Sequence, residues 1–133
     1  MSPNILKYLN IPHSYGGTDC IILVQRFYSV ELGLQFELPS YPSSRSWMKQ
    51  FSISSIEQWA AKYAKKVSLT DIKNYDLMVF KSEKSNLVTH FGLYIEPYRI
   101  LHVEEGSTSR LDYLTDYWLS QLCAIYRHNE LVQ

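Results

Sequence analysis

The stretch of sequence that decides the fold is YGGTDCIILVQRFYSVELG, residues 15–33. Its second part, CIILVQRFYSVEL (20–32), is almost continuously apolar and is followed by Gly33. A run of this length with a glycine behind it favours a buried helix over a strand. Cys20 then lies in the first turn of that helix, with Thr18 or Asp19 as the N-terminal cap.

The predicted position of Cys20 is one that can activate a thiol. Unpaired backbone N–H groups and the positive end of the helix dipole point at the first turn, which favours the thiolate. Gly16 and Gly17 allow a tight turn and a close approach of the backbone to a bound molecule. A free cysteine is also commonly a small buried hydrophobic residue. The position alone therefore leaves a catalytic and a structural interpretation open.

The remaining elements indicate a single α+β domain over residues 1–133, with helices first and strands later. A short N-terminal helix is predicted behind Ser2, with Ile5, Leu6 and Leu9 buried, and a second helix behind the cap Ser54. The second helix covers 55–67, a loop covers 34–53, strands cover 76–80, 90–95, 100–103 and 123–127, and a helical turn covers 114–118. The sequence EPYR predicts a hairpin between the second and third strands.

Two histidines of the predicted hairpin are candidates for a general base. If Tyr94 lies opposite Tyr98, His90 falls opposite His102 on one face, with Cβ atoms about 4.5–5.5 Å apart. An imidazole–imidazole hydrogen bond is then possible. A different register would separate the rings, and a pair of half-exposed strand histidines is the alternative. His128, near the end of the sequence, is expected to be exposed.

Composition excludes several classes of function. Thirteen basic and thirteen acidic residues give a formal net charge of zero, so neither nucleic acid nor a membrane surface is an expected partner. The N-terminal sequence predicts no signal peptide and no membrane insertion. Two distant cysteines favour a reducing compartment, and Cys123 is expected to be inert. No metal site is predicted, because four acidic residues are interpreted as solvated loop carboxylates: Glu104, Glu105, Asp112 and Asp116.

Five short stretches follow one another over residues 13–103: HSYGG, DCIILV, NYDLMVF, THFGLYI and ILHV; the stretches YW (117–118) and AIYR (124–127) extend the series to residue 127. In order and spacing they resemble the NlpC-type cysteine peptidases of bacterial cell-wall metabolism, a compact papain-like group. The resemblance implies that Cys20 is the nucleophile, His90 the general base and His102 the residue that orients it. It also implies a helix with the cysteine packed on a small antiparallel sheet, cleavage of stem peptides in peptidoglycan, and no cofactor.

The same resemblance points to substrate contacts at His13, Tyr15, Asp19 and Ile21. Three departures from the family pattern bear on them. Ile21 and Ile22 stand where the family has Ser-Gly, and that serine helps to bind the acceptor peptide. The loop before Asp19 is reduced to Thr18, and His13 stands where the family has a tyrosine near the oxyanion site. These changes leave the nucleophile, base and orienting residue in place but predict an altered substrate.

The stretch VELGLQFELPSYP (30–42) resembles a subset of the family found in tailed-phage tails. That resemblance implies location in a virion, or in the host cytoplasm during assembly, with other tail-tip proteins as partners. The alternative function is a non-catalytic structural component of a phage tail tip that keeps the peptidase fold.

Overall fold

The structure is a computed structural model that describes residues 3–15, 17–37, 52–82, 84, 85 and 87–131. These residues form the predicted α+β architecture, with helices packed on one six-stranded antiparallel sheet of order β1-β6-β2-β3-β4-β5. The helices are α1 (Cys20–Phe27), α2 (Ile53–Ala60) and α3 (Asp116–Leu119). The strands are β1 (Ala64–Lys66), β2 (Leu77–Lys81), β3 (Val88–Ile95), β4 (Arg99–His102), β5 (Arg110–Tyr113) and β6 (Leu122–His128). In these ranges, no helix has the length and apolar composition needed to cross a membrane.

Helix α1 begins where the sequence predicts it. The Ile22 N–H donates to the Asp19 carboxylate at 2.8 Å, so Asp19 rather than Thr18 is the cap. The helix continues as a π-helical segment, Tyr28–Leu32, and ends at Gly33, whose φ of 66° is left-handed. Glycine adopts that conformation at little cost. Cys20 is therefore the first residue of a helix held at both ends.

The sheet buries side chains on both of its faces because successive residues of a strand point to opposite sides. One face packs on α1 and α2 and includes Leu77, Val79, Phe91, Leu93 and Leu101. The other face holds a smaller cluster that α3 covers: Met78, Phe80, Tyr94, Ile100, Leu114 and Trp118.

Helix α2 is shorter than predicted. It begins at Ile53, and its cap is Ser52, whose hydroxyl accepts the Ser55 N–H at 3.2 Å, so the predicted cap Ser54 is wrong. It ends at Ala60 because residues 64–66 pair with β6 instead. The predicted helix over 55–67 therefore wrongly included the edge strand β1. Its sequence, Ala-Lys-Lys, consists of residues with low β-propensity.

Two further expectations about local structure are corrected. The N-terminal helix is a 3₁₀ segment, Ile5–Tyr8, in which Tyr8 is buried and Leu6 is 77% exposed. The cap predicted at Ser2 and most of the predicted loop, residues 38–51, lie outside the described residues. The expectation that His128 is exposed is wrong: its ring is buried, and Nε2 donates to the Gln35 carbonyl at 2.7 Å.

A buried ion pair ties β2 to β6 at one end of the sheet. Asp76 is fully buried and accepts hydrogen bonds from the Arg127 guanidinium at 2.8 and 3.0 Å and from the Lys73 N–H at 2.9 Å. Arg127 also donates to the Asp71 carbonyl at 2.6 Å. A buried carboxylate is tolerated only with such partners, so these contacts fix the start of β2.

Candidate active site

The start of α1 and the start of β3 meet at a groove of about 170 Å³. Four of the residues singled out from the sequence line it: His13, Tyr15, Cys20 and His90. Sequence reasoning did not anticipate the rest of its wall, formed by Thr89, Val103, Glu104, Glu105, Tyr117, Trp118 and Gln121. The structure therefore brings the predicted nucleophile and the predicted base to one concave surface.

Cys20 is only 4% exposed, and this burial governs its protonation. Burial raises the pKa of the Cys20 thiol to about 12, and the Asp19 carboxylate adds to the effect. Backbone hydrogen bonds at Phe91, Cys20 and Ile21 oppose it without reversing it. The helix start thus favours the thiolate, as predicted, but desolvation outweighs its contribution.

The two histidines of the hairpin are in direct contact, with His90 Nε2 and His102 Nδ1 2.7 Å apart. The predicted register is nevertheless wrong. Leu93 pairs with Leu101, which places His102 nearest to Gly92 and leaves His90 on a diagonal. A shift of two residues keeps every side chain on its own face, so the two rings still meet.

The surroundings of the histidine pair keep both rings neutral. His90 stacks on Trp118, with ring centroids 5.5 Å apart, and also contacts Phe80. Burial lowers the pKa of His90 well below its usual range, and the nearby His102, Arg110 and His13 lower it further. Burial also lowers the pKa of His102, against the opposing effect of Asp112. A neutral imidazole can accept a proton, which a general base requires.

A carboxylate, that of Asp112, is hydrogen-bonded to the second histidine of the pair. His102 Nε2 lies 2.8 Å from Asp112 Oδ2, and Arg110 Nε donates to the same oxygen at 2.8 Å. Arg110 also forms an ion pair with Glu104. The interpretation of Asp112 as a solvated loop carboxylate is therefore wrong, since it lies in β5, whereas Glu104 does lie in a loop with its side chain 37% exposed. Arg110 and Asp112 alternate in the sequence RLDY, which places both side chains on one face of a strand. This alternation was the sequence feature that could have indicated an Arg110–Asp112 pair.

Four predicted substrate-contacting positions divide into two pairs. His13 and Tyr15 line the groove and contact each other edge to face, with centroids 4.7 Å apart. Asp19 is fully buried as the helix cap. Ile21 is 2% exposed and packs in the core beside Val24, Phe36, Trp59, Leu77 and Phe91. Neither Asp19 nor Ile21 is part of the groove wall, so their positions give no support to direct substrate contact.

The approach to Cys20 depends on a glycine. A Cβ added at Gly17 would lie 2.3 Å from the Ser14 hydroxyl oxygen, which accepts the Thr18 N–H at 3.1 Å. A side chain at Gly17 would push the Ser14 hydroxyl aside and remove its hydrogen bond to Thr18. Gly16, the other glycine of the predicted turn, lies outside the described residues.

Over the described ranges, no group of three or more His, Cys, Asp and Glu side chains could hold a metal ion.

A helix that begins at a cysteine and packs on an antiparallel sheet bearing a histidine pair defines the papain-like α+β class. Within that class the chain belongs to the NlpC/P60 family, whose profile matches residues 10–127. No curated protein matches the chain.

Solved structures of other proteins share the fold at low sequence identity. A lipoprotein-like NLP/P60 family protein from Staphylococcus aureus is 24% identical, with a TM-score of 0.59 over 92% of this chain. This chain spans only 38% of that protein. The NlpC/p60 domain of the peptidoglycan hydrolase SagA is 15% identical (TM-score 0.58, 92% of this chain and 91% of that one). RipD of Mycobacterium tuberculosis, described as a non-catalytic NlpC/p60 domain protein adapted to peptidoglycan binding, is 16% identical (TM-score 0.57, 95% and 91%).

Proposed function

We propose that the protein is a cysteine peptidase that hydrolyses the stem peptides of peptidoglycan. The observation that carries the proposal is the placement of Cys20 and His90 in one groove, with His90 hydrogen-bonded to His102 at 2.7 Å. Membership of the NlpC/P60 family supports the substrate class, since the structurally similar SagA domain belongs to a peptidoglycan hydrolase.

The protonation of the site defines the order of events. Because Cys20 is a thiol and His90 a neutral imidazole in the free protein, the proton moves during attack rather than before it. His90 takes the thiol proton as sulfur attacks the carbonyl carbon, and gives it to the leaving amine as the C–N bond breaks. Water then attacks the thioester carbon as His90 takes its proton, and His90 returns that proton to the Cys20 sulfur as the C–S bond breaks and the peptide acid is released. Backbone N–H groups at the start of α1 stabilise the oxyanion.

The test is mass spectrometry of fragments released from purified peptidoglycan. Cys20→Ala is expected to abolish release, whereas Cys123→Ala, the matched thiol control, stays within a few-fold of wild type. His90→Ala costs more than His102→Ala, because loss of general acid–base catalysis typically costs about 10²–10⁴-fold. Wild-type turnover in Cys20→Ala would overturn the proposal.

A second candidate function is binding of peptidoglycan without cleavage. The low exposure of Cys20 and its raised pKa favour it, and RipD is an example of a non-catalytic domain with this fold. Sedimentation of the protein with purified sacculi, with no fragments released and equal binding by Cys20→Ala, would support this function over hydrolysis.

We also propose that the protein acts in a phage tail. The support is the similarity of residues 30–42 to tail-associated members of the family, as described above. Mass spectrometry of purified virions tests it: the protein is expected in the tail fraction, and its absence there would contradict the assignment.

A further inference from the structure

A chain of hydrogen bonds runs from the groove through the histidine pair to β5. His90 Nε2 meets His102 Nδ1 at 2.7 Å, and His102 Nε2 meets Asp112 Oδ2 at 2.8 Å. His102 is fully buried, whereas the Asp112 side chain is 31% exposed. Among the residues that the structure describes, each of these three ring nitrogens has one hydrogen-bond partner, so the position of one proton along the path determines the next.

The direction of the chain follows from the carboxylate. An ionised carboxylate only accepts hydrogen bonds, so the proton between Asp112 and His102 belongs to His102 Nε2. A neutral imidazole carries one proton, which leaves His102 Nδ1 as an acceptor. His90 Nε2 must then donate to it, and the lone pair of His90 lies on Nδ1, the nitrogen outside the chain.

Arg110 holds the carboxylate in this role. Its Nε donates to the same Asp112 oxygen that faces His102, and its other nitrogens contact Glu104 and the Ser107 hydroxyl. A guanidinium at this distance holds the carboxylate in line with His102 Nε2. The charged and titratable groups around His102 are thus His90, Asp112, Arg110 and Glu104.

We infer that Asp112 is a positioning residue that sets the tautomer of both histidines and thereby reserves His90 Nδ1 as the proton acceptor of the groove. Without Asp112, His102 can carry its proton on Nδ1, and His90 Nε2 then has to accept. The His90 proton moves to Nδ1, where it blocks abstraction of the Cys20 proton. The catalytic consequence rests on the proposed function, whereas the tautomer assignment does not.

The first test is nitrogen-15 NMR of the imidazole rings of the full chain without substrate, at a pH where both rings are neutral. In the wild type, both His90 and His102 are expected to show the Nε2–H form. In Asp112→Ala, the signals of His102 and His90 shift towards the Nδ1–H form, while Asp116→Asn, an exposed carboxylate at the start of α3, leaves them unchanged. An Nδ1–H form of either ring in the wild type, or unchanged tautomers in Asp112→Ala, would overturn the inference. The wild-type measurement decides even if the variant fails to fold.

The second test is the pH profile of hydrolysis by Asp112→Asn and Asp112→Glu. Asp112→Asn lowers kcat by about tenfold or more, a part of what general acid–base catalysis contributes, with KM nearly unchanged. The acid limb, which reports protonation of the hydrogen-bonded His90–His102 pair as a unit, moves to lower pH, because Asp112 raises the pKa of His102. Asp112→Glu restores part of kcat. If Asp112→Asn lowers kcat but leaves the acid limb at the same pH, Asp112 has a structural role only, and the inference is wrong. If the wild type is inactive, the proposed function fails, and the NMR result still decides the tautomer assignment.

Discussion

At the scale of single residues, Cys20 is subject to two opposing effects. The start of α1 supplies backbone N–H groups that stabilise a thiolate, but burial of the sulfur removes the water that would solvate its charge. With the side chain 4% exposed, burial dominates and the pKa rises to about 12. Burial therefore favours the neutral thiol in the free protein, and in the proposed mechanism the proton passes to His90 during attack.

The raised pKa of the Cys20 thiol predicts how its reaction with iodoacetamide depends on pH. Because only the thiolate reacts, the alkylation rate of Cys20 is expected to rise about tenfold per pH unit between pH 7 and 10. Peptide mapping by mass spectrometry separates Cys20 from Cys123. A rate that reaches a plateau below pH 8 would reveal a resting thiolate–imidazolium pair instead.

At the scale of elements, the contact between β3 and β4 depends on Gly92. A Cβ at this position would lie 2.4 Å from Cδ1 of Ile100 and 3.3 Å from Cβ of His102. Ile100 is fully buried, so its side chain has little room to move. The absence of a side chain at Gly92 leaves the space that the Ile100 side chain fills, next to the Cβ of His102.

Gly92→Ala is accordingly expected to destabilise the protein by about 1–3 kcal/mol, the usual cost of overpacking, and to lower kcat by displacing His102. Urea unfolding and the kinetics of fragment release measure the two effects. Ile100→Ala removes both atoms that clash, Cδ1 at 2.4 Å and Cγ1 at 2.6 Å, so the double variant should lose less stability than the sum of the two single variants, with Ile100→Ala alone as the control. Full wild-type stability and activity in Gly92→Ala would contradict the close packing described for this strand pair.

The elements also show how far sequence reasoning reaches. Helix α1, its Asp19 cap and the β3–β4 hairpin follow from local patterns and were predicted. Strand β1, with the sequence AKK, and strand β5, with RLDY, were missed because they are short and polar and are defined by their partners. The contact of Asp112 with His102 depends on the pairing of β5 with β4, which local sequence does not encode. Ile21 was predicted to contact the substrate but lies in the core. The face of α1 that packs on the sheet is also set by tertiary contacts and not by local sequence.

At the scale of the whole molecule, the buried histidines make the stability depend on pH. An unfolded histidine takes up a proton near pH 6.5, whereas burial lowers the pKa of His90 and His102 in the fold. Between the two values the unfolded state binds more protons, so acidification favours unfolding. The stability contributed by neutral His90 and His102 is present above pH 6.5 and is lost as the pH falls below it.

Urea unfolding at pH 7.0 and pH 5.5 tests this dependence. The free energy of unfolding is expected to fall on acidification, by at most about 1.4 kcal/mol per pH unit for each histidine. The variant His90→Gln lacks one of the two titrating groups. Its free energy of unfolding should therefore fall less between pH 7.0 and pH 5.5 than that of the wild type. Equal losses in wild type and variant would show that His90 does not contribute.

The order of the strands affects how the protein is made. Strands β2 to β5 pair with their neighbours in the order in which a ribosome delivers them, but β6 lies between β1 and β2. Until residues 122–128 emerge, β1 lacks its neighbour β6, and the apolar strand Leu77–Lys81 lacks the neighbour on one of its two edges. Such an edge can pair with another chain. A nascent chain that stalls before residue 122 is therefore prone to aggregation, and closure of the sheet follows synthesis of residue 128.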